Sequence, residues 1–131
     1  MPAGDAFSDD QVHTIRRVLR TARAETGLRF SLHVGRAEGE SRVYAQRLHA
    51  ALGRDAPTAV LIAVDPAARR LEIVTGGEAQ RRLDDRTCAL AAMSMTTAFS
   101  VGDLVGGIIS GVSMLADHAR REPILHQEHP N

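Results

Sequence analysis

Thr58 to Glu78 reads TAVLIAVDPAARRLEIVTGGE, and the reading of this stretch decides the fold. Ala59-Val60-Leu61-Ile62-Ala63-Val64 is an unbroken apolar run. A strand wetted on one face alternates, so a run of this length predicts a strand covered on both faces. Its β-branched residues, Val60, Ile62 and Val64, favour a strand over a helix. Asp65-Pro66-Ala67-Ala68-Arg69-Arg70 follows as a turn, because Pro66 fixes its own φ and Asp65 can bond the backbone beyond it. Leu71-Glu72-Ile73-Val74-Thr75 begins by alternating, the pattern of a half-covered or edge strand. The pair predicts an antiparallel hairpin, ended by Gly76-Gly77. A strand buried on both faces needs helices on each side of the sheet.

Upstream, Ser8-Asp9-Asp10-Gln11 fits a capping box, with Phe7 and Val12 at the positions of a hydrophobic staple. Val12, Ile15, Val18, Leu19 and Ala22 recur at helical spacing to about Glu25, and Gly27 stops the helix. Leu28, Phe30, Leu32 and Val34 alternate with polar residues, which predicts a strand. A helix from about Glu40 to Leu52, with Gly53 as its C′ residue, leads through the loop Arg54 to Pro57 into the buried strand. Strand, helix, strand with short connections is a βαβ unit with parallel strands. Downstream, Glu78 to Leu83 reads as a short helix. Asp84 caps a longer one carrying Cys88, Leu90, Ala91, Ala92, Met95 and Phe99. Ser100-Val101-Gly102-Asp103 breaks it, and a last helix runs from Leu104 to about Arg120. The predicted class is therefore α/β, a small mixed sheet of a βαβ unit plus an antiparallel hairpin with helices packed on both faces. The predicted organisation is a flexible N-terminal arm over residues 1–7, one domain over 8–120 and a mobile tail over 121–131.

The chain has 131 residues, with 16 basic and 16 acidic side chains. That balance, and the presence of only Phe7, Phe30, Tyr44 and Phe99 as aromatics, argues against a nucleic-acid binder. Cys88 is the single cysteine, so neither an internal disulfide nor a zinc cluster of cysteines can form. MPAGDAFSDD has no apolar segment, so no signal peptide is expected. No run reaches the roughly 18 apolar residues of a membrane span. A cytoplasmic location is the resulting expectation.

The order of capped helix, TGLRFSLHVG, amphipathic helix, AVLIAVDPAARRLEIVTGGEAQRRL and AFSVGDLVGGIISGVSMLADH resembles the TPM domain family, over about Ser8 to Arg120. It is most similar to a soluble, actinobacterial-type branch of that family whose function is uncharacterised. The hairpin VLIAVDPAARRLEIVTG and the segment Phe99 to Gly107 carry the resemblance. It implies a small sheet with helices on both faces. It also implies a divided set of roles: acid phosphatase for a plant member, binding or assembly factors for membrane complexes among others, and calcium binding for some. The signal peptide and membrane anchor of many members are not matched by this sequence.

Two groups of residues are candidates for chemistry. Asp84, Asp85 and Asp103 lie beside helix starts and Glu78 follows the glycine pair. Their carboxylates could hold Ca²⁺ or Mg²⁺ if the loops converge, Asp103 foremost. The simpler role is capping. Gly76 and Gly77, with Arg81 and Arg82 one turn later, could hold a phosphate, although no nucleotide fingerprint surrounds them. The simpler role is a strand-to-helix turn with solvated arginines. No HxxxH pair occurs on any helix, and Cys88 lacks the arginine of a cysteine-phosphatase loop. Gly107-Ile108-Ile109-Ser110-Gly111 spells a small-xxx-small pattern, read as close packing within the molecule or as a homodimer face on the Leu104 to Leu115 helix. The leading expectation is a non-catalytic binding or regulatory module acting through a protein partner or a bound divalent ion. The rivals are a metal-dependent phosphatase, using those aspartates and arginines, and a homodimeric scaffold.

Overall fold

The structure, a computed structural model, describes residues 7–127, with side chains through residue 120. Helix α1 (Asp9–Thr26) opens the described chain. Ser8 and Gln11 close the expected capping box, Gln11 N donating to Ser8 Oγ at 3.2 Å and Ser8 N to Gln11 Oε1 at 2.9 Å. Gly27, at φ 77°, ends the helix in the left-handed conformation. Strand β1 (Arg29–Val34), helix α2 (Ser41–Ala50) and strand β2 (Ala59–Asp65) form the βαβ unit. Strand β3 (Arg70–Thr75), the single turn α3 (Gly77–Gln80), α4 (Asp85–Ser100) and α5 (Leu104–Gln127) complete the order.

The sheet order is β1-β2-β3. β1 runs parallel to β2, with Phe30 opposite Val60 and Val34 opposite Val64. β3 runs antiparallel to β2, with Ile73 opposite Ile62 and Arg70 opposite Asp65. All seven residues of β2 are buried, as the unbroken apolar run requires. Val60, Ile62 and Val64 point to the larger core, with Ile15, Met95, Ile108, Val112 and Leu115 from α1, α4 and α5. Leu61 and Ala63 point the other way, onto Ala45 of α2 and Val74 of β3. The sheet therefore has three helices on one face and α2 alone on the other. Polar links fasten α2 to the edge strand: Ser41 Oγ donates to Glu72 Oε2 at 3.1 Å, and Arg42 Nη1 donates to the Ile73 carbonyl at 2.8 Å.

Several boundaries differ from the sequence expectation. The loop Arg54 to Pro57 is wound into a 3₁₀ segment, Gly53–Thr58. Gly53, at φ 65°, opens that segment, and Ala51 is the cap of α2. The backbone of α5 continues to Gln127, past the expected end near Arg120. Of the expected N-terminal arm, Phe7 is described and buried against the core. Residues 1–6 and 128–131, which hold the rest of that arm and the end of the expected tail, lie outside the described residues.

Candidate functional site

The expected site residues do not come together. Asp84 caps α4, accepting from Thr87 N at 2.9 Å, and that bond holds its carboxyl below the usual carboxylate range. Asp85 is the first residue of α4 and accepts from Gln80 Nε2 at 3.3 Å. Glu78 is exposed on α3. Asp103 lies beyond the opposite end of α4, a helix of 16 residues and so about 24 Å long. There Gly102, at φ 83°, closes α4, with Gly102 N donating to Phe99 O and Asp103 N to Ala98 O, both at 3.0 Å. This is a Schellman closure. Asp103 then accepts from Gly106 N at 2.9 Å and caps α5. One residue finishes one helix and starts the next, so the Gly102-Asp103 pair is explained by the corner. Among the described residues no group of three or more His, Cys, Asp or Glu side chains could hold a metal ion. The convergence that a Ca²⁺ or Mg²⁺ site on Asp84, Asp85, Asp103 and Glu78 needs is absent, because α4 stands between its two ends.

The phosphate-binding set is dispersed as well. Gly76 is buried, donates its N–H to Ala59 O at 3.0 Å, and lies so near Ala56 O and Pro57 that a Cβ would overlap them. Its role is close approach of two backbones. Gly77 opens the one-turn α3, and Arg81 is exposed. Arg82 turns inward instead. Its Nη1 donates to Thr26 O at 2.6 Å and its Nη2 to Ala119 O at 3.0 Å, joining α1 to α5. Burial lowers its pKa from the ordinary arginine value, and both guanidinium ends are already committed to carbonyls.

The remaining candidates are structural too. Burial and the nearby Asp85 and Asp84 push the Cys88 thiol up to about 11, which favours the protonated form at neutral pH over the nucleophilic thiolate. His49 is buried with Nε2 3.2 Å from Ala59 O. His33 packs edge-on against Tyr44, with ring centroids 5.8 Å apart. On α5, a Cβ at Gly107 would strike the Phe99 ring and one at Gly111 the Met95 side chain. The small-residue face is therefore taken by α4 and is not free to serve a second copy.

One of the clefts among the described residues is lined by two segments far apart in sequence. It measures about 240 Å³ and opens where β2 ends. The hairpin supplies Val64, Asp65, Arg69, Arg70 and Leu71, and the α4–α5 corner supplies Thr96, Phe99, Ser100, Gly102 and Leu104. Asp65 fixes its back wall. Its Oδ2 accepts from Ala37 N at 3.0 Å and its Oδ1 from Ala68 N at 3.1 Å. The Ala37 bond, aided by the Ala68 bond and the Arg36 charge, holds the Asp65 carboxyl below its usual range against the opposing effect of burial. Arg69 and Arg70 are exposed, and neither has an ion pair or a side-chain hydrogen bond among the described residues. The signal in the sequence was an adjacent pair of arginines at a hairpin tip. It lacked meaning until the fold brought Phe99 and Leu104 beside it.

Among the described residues no helix is long and apolar enough to cross a membrane. Two solved structures share the fold. The N-terminal domain of a protein from P. gingivalis matches with a TM-score of 0.78 at 16% identity, covering 88% of this chain and 78% of that one. The BA42 protein of the psychrophilic bacterium Bizionia argentinensis matches with a TM-score of 0.79 at 16% identity, covering 88% and 82%. Likeness at that identity shows the fold alone. Two uncharacterized proteins of Mycobacterium tuberculosis, from strains H37Rv and CDC 1551, are each 33% identical over 92 residues, 68% of this chain. The chain spans about half the length of these curated relatives, 53% in each case. A family model described as "Domain of unknown function (DUF5130)" matches residues 2–116. By that match over most of its length, the chain belongs to the DUF5130 family.

Proposed function

We propose that this chain is a non-catalytic binding module of TPM type, and that it receives its ligand in the cleft at the end of β2. The observation that carries the reading is the origin of the cleft walls. The two segments on which the TPM resemblance rests, the Val60 to Gly76 hairpin and the Phe99 to Gly107 corner, are far apart in sequence. Both line this one cleft. The position also agrees with a general tendency of sheets with parallel strands, in which ligands sit beyond the carboxyl ends of the strands.

Among the described residues, the groups that the phosphatase alternative would use are committed elsewhere. The thiol of Cys88 is protonated, and Thr87 Oγ1 stands a long 3.4 Å from His118 Nε2. Of the aspartates of the phosphatase alternative, Asp84 and Asp103 are helix caps at opposite ends of α4, and Asp85 accepts from Gln80. A backbone-amide NMR screen of the full chain against a mixed set of neutral and charged fragments tests the reading. Hits should cluster on residues 64–71 and 96–104. A screen whose hits all fall elsewhere would overturn it. So would hydrolysis of a phosphate ester that tracks the protein through purification and is lost in Asp103→Ala.

A further inference from the structure

The polar groups around the cleft are unequal in what they can still offer. Thr96 Oγ1 donates to Ala92 O at 2.8 Å and Ser100 Oγ to Thr97 O at 2.6 Å, so both hydroxyl protons are already used within α4. The Asp65 oxygens already receive two backbone N–H groups. Among the lining side chains, unused donors remain on Arg69 and Arg70 alone, and each guanidinium has five N–H bonds. A ligand group seated there must accept hydrogen bonds, and an anion does so best. The rest of the lining, Val64, Leu71, Phe99 and Leu104, is apolar. Against Arg69 and Arg70 stands the one carboxylate of Asp65, which leaves a local balance of one positive charge. The volume of about 240 Å³ lies below the roughly 300–1,000 Å³ of ordinary small-molecule pockets, so the occupant is compact.

Arg69 adds an independent observation. Its φ is 55°, and it is the one described residue other than glycine with a positive φ. Hairpin loops that need this conformation take glycine there without strain. This chain has an arginine instead, held at the mouth of the cleft. Strain that persists beside a cavity points to a use for the side chain.

From these observations we infer that the ligand is a small organic monoanion, a carboxylate carried on a compact apolar body. Its charge lies between Arg69 and Arg70, and its body lies on Leu71, Phe99 and Leu104. The inference rests on the cleft being the binding site, and its test separates the two claims. The full chain is titrated at constant ionic strength with hexanoate, with hexan-1-ol as the body without charge, and with inorganic phosphate as charge without a body. Amide shifts are followed at residues 64–71 and 96–104. Hexanoate is expected to saturate those shifts at lower concentration than either control. Arg69→Gly is expected to weaken hexanoate binding about tenfold, the loss of one charge-assisted contact. Its thermal midpoint should stay level or rise, because glycine fits the turn. Arg70→Gln should also weaken hexanoate, with little effect on hexan-1-ol. Hexan-1-ol binding in the cleft as tightly as hexanoate would overturn the anion and leave the cleft standing. Phosphate binding more tightly would overturn the apolar body. Unchanged hexanoate affinity in Arg69→Gly would overturn the role of that residue. Silence of the cleft to every probe, together with a screen that misses it, would remove both claims.

Discussion

At the scale of the residue, Asp65 shows how one carboxylate can organise a loop region. It joins Ala37, after β1, to Ala68, in the hairpin. Its pKa is depressed in the folded state, first by the Ala37 bond. A depressed carboxyl contributes stability above its unfolded pKa and loses that contribution as pH falls through the folded value. Asp65→Asn is therefore expected to cost roughly 1–3 kcal/mol at neutral pH, since a neutral amide answers the two N–H groups poorly. The gap from the parent should narrow below about pH 4, where unfolded Asp titrates. Urea unfolding of both proteins from neutral to acid pH measures it, and a gap independent of pH would contradict the assignment. Neighbouring glycines offer a second contrast. A Cβ at Gly76 meets the backbone of Ala56 and Pro57, which cannot yield cheaply, whereas a Cβ at Gly77 meets nothing within 4 Å. Gly76→Ala should cost about 1–3 kcal/mol, and Gly77→Ala should be neutral or slightly stabilising. Both read as the same glycine pair in the sequence. Their difference depends on a 3₁₀ segment that local pattern did not reveal.

At the scale of the element, the parts set by local chemistry were legible. The capping box of α1, the Asp84 cap of α4 and the break at Gly102 each depend on residues a few positions apart. The unbroken apolar run gave away the central strand for a different reason: only a doubly covered strand can afford no polar residue. What could not be read was which helix faces would meet. The spacing of Gly107 and Gly111 favours internal packing and leaves a dimer face as the alternative, and the ring of Phe99 and the side chain of Met95 fill that space. Gly111→Ala tests this contact. Alanine gains about 1 kcal/mol of helix propensity over glycine, but its Cβ enters the space of Met95, which is fully buried. Overpacking costs roughly 1–3 kcal/mol, so the variant should be less stable in urea despite being the better helix former. A gain of the full propensity term would mean that α4 and α5 are more loosely joined than the Gly111–Met95 contact requires.

At the scale of the whole molecule, α4 works as a spacer. By holding Asp84 and Asp103 at its two ends it prevents the carboxylates from acting as one group. Adding millimolar Ca²⁺ or Mg²⁺ to metal-stripped protein should leave the thermal midpoint within about 1 °C, since a ligand stabilises only what it binds. A rise of several degrees, with amide shifts confined to residues 78–85 or 102–106, would restore an ion site. The same spacing explains why the cleft was illegible in the sequence. One wall is the hairpin and the other begins in the last turns of α4, most of a helix later in the chain, and only the packing of α4 against β3 and α5 brings them together. The link from α2 to the sheet has a further consequence. β3 is the last strand of an open sheet, and Arg42 lays its guanidinium on the Ile73 carbonyl. A bare carbonyl on such a border invites a foreign strand to dock, and one docked strand templates the next. By occupying that carbonyl, Arg42 takes one acceptor off the border along which a second copy would pair.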